Sequence, residues 1–580
     1  MDGYFLGYTN TISFSFRWFF VMRVVLINPP IDSVLEHGNV SPVTQYLFYN
    51  SAPLGILYIA SVLEQEGHIV SVIDAAAELL NIERTTERVK EFNPDVIGIG
   101  SFTVTFETTV KLGHAIKNAL PKIPIVLGSY HVTLMPDEAM SHMCFDIGVL
   151  GEGEFTMKEL VEHYEGKRTL ESVDGICYRI AKETKNNKPT TTETTSTSSK
   201  IHLQIAGQSK PQKLEQDYTV LTDAEKKGQE QEKDYILHKT KARAKFKDLD
   251  QLPFPARHLL PPNIYKPIPV DDHAFPKFAM VTSRGCPHAC AFCQKARSGY
   301  RSHSPKYIVD EIEHLVRDYG VKDIAFVDSL FCANKKRVHA ICDEIIRRGL
   351  QKQVSWTCSS RVEVVDKQLL QKMKDAGCWR TRFGIESGHD DVLDFISKGI
   401  NQDMIKRAIT AADEVGLRPK AFFMVGHMPD TKERILETIR FAKSIPLHDI
   451  TVQINTLLPE TPQLDVWKKE GYKWGRIVNT TTDEKSFWEP TFVPWGLESD
   501  DLIELHRQFY REFYLRPITI KRHVQGIQTW RDFLKYVEAA SLFSFLFFNQ
   551  ERPTIRMFKD VISDKLKLGF SSTSQKHAAK

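Results

Sequence analysis

Residues Lys277 to Ala296 read KFAMVTSRGCPHACAFCQKA. An apolar run, Phe278 to Thr282, reads as a strand; it enters a glycine turn and then Cys286-x3-Cys290-x2-Cys293. Three thiolates on so short a loop wrap one face of an iron–sulfur cubane and bind three of its four irons. Electron-transfer clusters use four cysteines, and no fourth stands nearby, so the spacing leaves one iron open to a substrate or cofactor. A zinc site using His288 or His303 as fourth ligand stays open at this point, although zinc sites usually pair their ligands as C-x2-C and H-x3-H.

Downstream, helices and strands alternate. Tyr307 to Gly320 is an amphipathic helix with a glycine stop. DIAFVDS (Asp323 to Ser329) is a strand, followed by a helix through KKRVHAICDEIIRRG. VSWTCSSR, TRFGIES, KAFFMVG and DITVQINTLLP continue as strands with helical patterns between them. With the cysteine-loop strand this makes about six βα units, a partial barrel whose chemistry belongs at the carboxyl ends of its strands. Asp328, Arg361, Glu386 with Ser387, and His427 all fall at strand ends. Cys332, Cys342, Cys358 and Cys378 have no ligand spacing and read as small core or loop residues. Asp500 to Pro517 carries an apolar stripe suited to closing the barrel's open side, with Tyr510, Phe513 and Tyr514 packing and Arg511 in solvent.

Upstream, Lys182 to Lys245 is rich in Thr, Ser, Lys, Gln and Glu, including TTTETTSTSSK. Such a stretch buries too little apolar area to offset its ordering entropy, which predicts a disordered insertion. Before it, RVVLINPP, IVSVIDA, DVIGIGS, IPIVLGS and FDIGVLGEGE alternate with helices such as LGILYIASVLEQEGH. That order predicts a parallel sheet covered on both faces, with ligand contacts in loops at the strands' carboxyl ends. Those loops hold Ser101 and Thr103, Gly128 and Ser129, and Gly151-Glu152-Gly153-Glu154. Small residues there admit close approach of a bulky ligand, and they equally serve tight turns.

The chain has 580 residues, a soft prior of about three or four domains. Lys plus Arg number 76 against 73 Asp plus Glu, so net charge makes no case for nucleic acid or an anionic membrane. Nine cysteines without a secretion signal favour metal or redox chemistry in a reducing, cytoplasmic setting over a disulfide framework. The aromatic stretch Met1 to Met22 lacks a basic n-region and a cleavage site and is broken by Arg17; Met22 is the expected natural start. The uncharged run Leu542 to Phe548 is too short for a membrane span; it reads as a buried helix or, more weakly, as a hint of an apolar substrate or surface. No transmembrane span and no nucleic-acid partner are expected.

Two resemblances extend this reading. NPP (Asn28 to Pro30), PLGILYIASVLEQEGH, NPDVIGIGSFT, VLGSYHVTLMPDEAM and GEGE, in that order, resemble the cobalamin-binding domain ahead of many radical S-adenosylmethionine (SAM) enzymes. The resemblance implies corrinoid contacts near Ser101, Thr103, Gly128 and Ser129. The chain lacks the Asp-x-His-x-x-Gly turn that supplies a lower cobalt ligand in many cobalamin proteins, and His131 sits in a different loop. Either a corrinoid without that ligand or a domain that has lost its cofactor fits this departure.

The cysteine spacing is similar to that of radical SAM enzymes. The resemblance implies a 4Fe-4S cluster on Cys286, Cys290 and Cys293, with SAM on the open iron and Phe292 packing on adenine. It places Asp328 near the SAM ammonium, Arg361, Glu386 and Ser387 among further SAM contacts, and Gly426 with Pro429 in a turn near adenine. His427 and Met428 depart from that turn's usual form. The nearest group in character includes the magnesium-protoporphyrin oxidative cyclase and hopanoid methylases. Its chemistry implies radical modification of an unactivated carbon, methyl transfer first and cyclisation or rearrangement next, on a small molecule, with a flavodoxin- or ferredoxin-type reductant; only the Leu542 to Phe548 run hints that this molecule is apolar. A radical SAM protein whose N-terminal domain is only a scaffold, and a non-catalytic iron–sulfur carrier, are the other classes.

The expected fold class is α/β. A Rossmann-like parallel-sheet cobalamin-binding domain spans 22–170, after an extension over 1–21. A linker with the disordered insertion spans 171–250, a partial (β/α)6 TIM-type radical SAM barrel 251–484, and a helical C-terminal region 485–580.

Overall fold

The computed structural model describes residues 21–30, 51–182, 235–261, 264–265, 272–294, 298–478, 490–527 and 530. Most of the N-terminal extension, residues 183–234 of the insertion and the Leu542 to Phe548 run lie outside the described residues.

The run RVVLIN forms β1 (Arg23–Asn28), with Val24 to Ile27 all buried. An unbroken apolar strand needs cover on both faces, and it sits inside the sheet with a neighbour on each side. It pairs in parallel with β2 (Ile69–Asp74) on one side and β3 (Val96–Gly100) on the other. β4 (Ile125–Gly128) and β5 (Ile147–Val149) extend the parallel sheet, giving the order β2-β1-β3-β4-β5. In that doubly wound order the ligand crevice lies outside the carboxyl ends, at the β1–β3 switch.

The sheet then departs from the all-parallel expectation. β6 (Ile176–Ala181) and β7 (Tyr235–Lys239) add antiparallel strands at the β5 edge. The reading of Lys182 to Lys245 as an insertion without structure is thereby corrected over Tyr235–Lys239. None of those five residues is fully buried, so composition carries little sign of the strand. What holds it is ladder pairing, Ala181 opposite Tyr235 through Cys177 opposite Lys239.

The second sheet starts with β8 (Lys277–Met280). β9 (Ser283–Arg284) pairs antiparallel with β10 (Arg301–Ser302), so the cysteine loop leaves and returns through a small ladder. β11 (Asp323–Phe326), β12 (Ser355–Ser360), β13 (Cys378–Glu386), β14 (Lys420–Val425) and β15 (Asp449–Ile454) follow in parallel. The order β15-β14-β13-β12-β11-β8 is the expected six-stranded open barrel sheet. Its helices show their stop and start signals in place: Ser304 caps Pro305–Tyr319 by accepting from Tyr307 N, and Gly320 ends that helix in the left-handed region.

The helix Ser499–Tyr514 buries Leu502, Leu505, Phe509 and Phe513 in the barrel core. Burial of each such side chain stabilises by about 1.5–3 kcal/mol. Its tyrosines do more than pack. Val452 N donates to Tyr510 Oη (2.8 Å), and Ile450 N donates to Tyr514 Oη (3.3 Å). Tyr510 and Tyr514 donate back to the same residues' carbonyls at 3.2 and 3.1 Å. Two phenols thus satisfy part of the edge that β15 would otherwise leave open. Among the described residues no helix is long and apolar enough to cross a membrane.

Candidate active site

The cysteine loop is anchored by backbone contacts. Gly285, at φ +83°, carries no Cβ because one would fall 1.5 Å from Gly299 O. Cys286 N donates to Ser298 Oγ (3.0 Å) and Cys293 N to Cys290 O (3.2 Å). Ala291 N donates to Ile396 O (2.8 Å), and Gln463 N to Ala291 O (3.0 Å). Cys290 is buried; Cys286 and Cys293 are half-buried.

A chain of polar contacts surrounds Cys290. Arg361, just past β12, donates from Nη1 to Cys290 Sγ (3.1 Å), from Nη2 to Lys398 O and from Nε to Glu363. Lys398 donates from Nζ to Glu386 Oε1 (2.7 Å), and its ammonium lies 5.8 Å from the centre of the Phe292 ring. Phe292 in turn faces the His427 ring at 6.0 Å. Glu386 holds φ +71° at the end of β13, a backbone state that costs a non-glycine residue on the order of 1–3 kcal/mol and clusters at functional sites. A Cβ on Gly384 would stand 2.7 Å from Glu386 Oε1.

Ser387, beside Glu386, is turned toward the scaffold: its Oγ accepts from His389 N (3.1 Å) and lies 3.3 Å from Thr438 Oγ1. Asp328 clamps the strand that feeds the cysteine loop. Its Oδ1 accepts from Thr282 N (2.6 Å) and Ser283 N (2.7 Å), and its Oδ2 from Thr282 Oγ1 (2.5 Å). Burial pushes the Asp328 carboxyl up, against the pull of the Thr282 hydrogen bond.

Gly426, at φ +83°, opens the turn to Asp430. Asp430 Oδ2 accepts from Gly426 N and His427 N, both at 2.8 Å. Burial raises the Asp430 carboxyl to about 7. His427 is fully buried and neither ring nitrogen has a hydrogen-bond partner. Burial, with the Lys398 charge nearby, lowers it to about 3, so the ring is neutral.

At the carboxyl ends of the first sheet, Ser101 is buried and accepts from Thr109 Oγ1 (3.1 Å), while Thr103 begins a short turn. Gly128 has open space where a Cβ would stand. Ser129 holds φ +84° with ψ −164°, a region almost reserved for glycine. Phe102 and Tyr130, both exposed, stack at 6.1 Å across these loops. His131 is buried and stacks on Phe106 at 3.7 Å.

Residues 41–161 match the model of the B12 binding domain, and residues 280–442 that of the radical SAM superfamily. The chain is a B12-domain radical SAM enzyme. An uncharacterized methyltransferase of Pyrococcus horikoshii is 29% identical over 87% of this chain and 98% of its own length. The anaerobic magnesium-protoporphyrin IX monomethyl ester cyclase of Cereibacter sphaeroides is 26% identical over 80% of this chain and 67% of its own. The cobalamin-dependent SAM radical enzyme OxsB shares the fold, with a TM-score of 0.61 at 14% identity over 95% of this chain and 75% of its own.

The radical SAM enzyme's cofactors are a 4Fe-4S cluster, SAM and cobalamin. Its residues fit them. Three thiols stand on one short loop, and the Arg361 guanidinium on Cys290 Sγ complements the charge of a thiolate ligand. Among the described residues no three His, Cys, Asp or Glu side chains meet as the ligands of one ion would; a cubane instead asks each thiolate to reach a different iron. Gly128, the strained Ser129 and the exposed aromatic pair leave the first sheet's rim open to a bulky planar group.

Several residues of this site escape a reading of the sequence. Lys398 lies in a loop with no motif, yet it joins Glu386, Phe292 and Arg361. Thr282 and Asp430 matter through backbone geometry that no spacing reports. The family's Gly-x-Pro turn was the one available pointer to Asp430.

Proposed function

We propose that the enzyme transfers a methyl group to an unactivated carbon of a small, apolar substrate, in the cytoplasm, using electrons from a flavodoxin- or ferredoxin-type protein. The observation that carries this reading is the meeting of the two units at their working ends. Glu152 and Glu154, in the turn after β5, contact Arg284 and Arg301 at the root of the cysteine loop. Methyl transfer needs corrinoid and cluster to address one carbon, and a contact between the turn after β5 and the root of the cysteine loop supports that reading. The naming of the Pyrococcus horikoshii relative, matched over almost its full length, favours the same outcome.

When bound, the cluster and SAM supply a 5′-deoxyadenosyl radical and cobalamin supplies the methyl group. The chain's own residues do the rest. Cys286, Cys290 and Cys293 hold the cluster, and Arg361 supports Cys290. Phe292 and the Gly426 turn, with His427, receive adenine; Glu386 and Lys398 meet the polar groups of SAM as a neutral pair. Asp328 holds the start of the loop. Ser101, Thr103, Gly128 and Ser129 cradle the corrinoid, and Ser387 orients the strand end beside Glu386.

Anaerobic reconstitution with SAM carrying a trideuterated methyl group tests this. Methyl transfer gives 5′-deoxyadenosine and product heavier by the labelled methyl. Deoxyadenosine without label in product would point to cyclisation or rearrangement, the chemistry of the cyclase relatives. A redox-active cluster indifferent to SAM would indicate a carrier and end the proposal.

A further inference from the structure

β9 and β10 pair Arg284 directly with Arg301, which sets two guanidiniums side by side where the cysteine loop begins and ends. Like charges so placed repel, and Glu152 stands between them. Arg301 donates from Nη1 to Glu152 Oε2 (3.1 Å) and from Nη2 to Oε1 (2.5 Å), and Arg284 Nη1 lies 3.3 Å from the same Oε1. Arg284 Nη2 donates to Glu154 Oε1 (2.5 Å). Both guanidiniums also lie over the Phe246 ring, at 5.6 and 5.5 Å. Glu154 is buried, and burial that would raise Glu152 is more than reversed by Arg301 and Arg284. The turn therefore presents two carboxylates whose positions fix both ends of the loop.

The same turn is tied back to the corrinoid rim. Gly151 N donates to Thr133 Oγ1 (3.0 Å), and Thr133 Oγ1 donates to Ser129 O (2.8 Å). Hydrogen bonds thus lead from Ser129 through Thr133 to Gly151, and the chain's next residue, Glu152, carries the ion pairs to the arginines flanking the cysteines.

We propose that Glu152, Glu154 and Thr133 are positioning residues that couple the two cofactor sites, so that corrinoid at the Ser129 loop tightens SAM binding at the cysteine loop, and the reverse. This rests on the reading that both cofactors serve one reaction. A ligand that orders Ser129 also orders Glu152, and the second ligand then meets a loop with less freedom to lose.

The test uses the full chain with its cluster reconstituted anaerobically. SAM affinity is measured by equilibrium dialysis, and the cluster's electron paramagnetic resonance signal recorded, with and without saturating hydroxocobalamin. In the wild type, corrinoid should tighten SAM by about 5-fold or more and alter the SAM-induced change in the signal. Glu152→Gln should cut that factor to about 2 or below, with corrinoid affinity in the absence of SAM held within about twofold. Thr133→Val, which leaves every ion pair in place, should do the same and guards against a folding defect in the first variant. A factor of one in the wild type, or an undiminished factor in both variants, overturns the coupling alone. A wild-type chain that takes up no corrinoid overturns the cofactor reading and the coupling with it.

Discussion

Arg361 donates from Nη1 to Cys290 Sγ at 3.1 Å while the rest of its guanidinium is held by Glu363 and the carbonyl of Lys398. The fork is thus fixed from three sides before any cluster arrives. A hydrogen bond to a ligand sulfur stabilises the more electron-rich state, so Arg361→Gln should move the cluster's reduction potential to more negative values. Supporting partners of metal ligands typically contribute 10–100-fold in metal affinity or activity, and turnover should fall by about that factor. A redox titration followed by electron paramagnetic resonance decides it: an unchanged potential at full iron loading would remove Arg361 from this role.

Cys290 is the most enclosed of the three thiols, and the described contacts of the first sheet's rim do not involve it. Cys290→Ala should abolish 5′-deoxyadenosine formation while leaving corrinoid uptake intact. Chromatography of the nucleoside and the visible spectrum of bound corrinoid report the two separately. Equal SAM cleavage in this variant would show that the cluster is held elsewhere.

His427 is buried without a partner for either ring nitrogen. An unsatisfied buried polar group costs about 1–3 kcal/mol, so His427→Leu should make the ligand-free protein more stable by about that amount. Removing a hydrogen bond to bound SAM should raise its Kd by up to about 10-fold. Thermal unfolding and equilibrium dialysis read the two effects; a variant both less stable and equally tight for SAM would contradict the prediction.

Asp430 holds its proton to about pH 7 in the folded chain because burial disfavours the anion, whereas the unfolded chain releases it near 4. Between those values the folded state binds more protons, so this group's contribution to stability falls as pH rises. Asp430→Asn keeps an oxygen for Gly426 N and His427 N without the titration. The variant should gain on the wild type by on the order of 2–4 kcal/mol between about pH 4 and 8. Parallel stability curves across that range would place the Asp430 pKa in the ordinary carboxylate range.

The parallel strands, the cysteine loop and the strand-end positions are legible in the sequence because each rests on a local pattern. Apolar runs such as Val24 to Ile27 demand burial, and three cysteines on one loop demand a shared metal. Lys398 is not legible: its pairing with Glu386 depends on the path of an intervening helix, which only the folded chain determines. Tyr510 and Tyr514 are legible as an apolar stripe but not as partners of Val452 and Ile450, since periodicity says which face is buried and not where a phenol ends. β7 is missed for a related reason: none of its side chains is fully buried, so it shows no apolar run, and its ladder depends on the backbone of its neighbour.

Ala181 and Tyr235 face each other at the open end of the β6–β7 pair. The chain therefore departs from and returns to one spot on the rim of its first sheet. That spot lies on the antiparallel edge of the sheet, where β5 separates β6 from β4 and the loop that carries Gly128 and Ser129. A change made at that junction therefore enters the fold at an edge of the sheet, with β5 between it and the strand that carries the Ser129 loop.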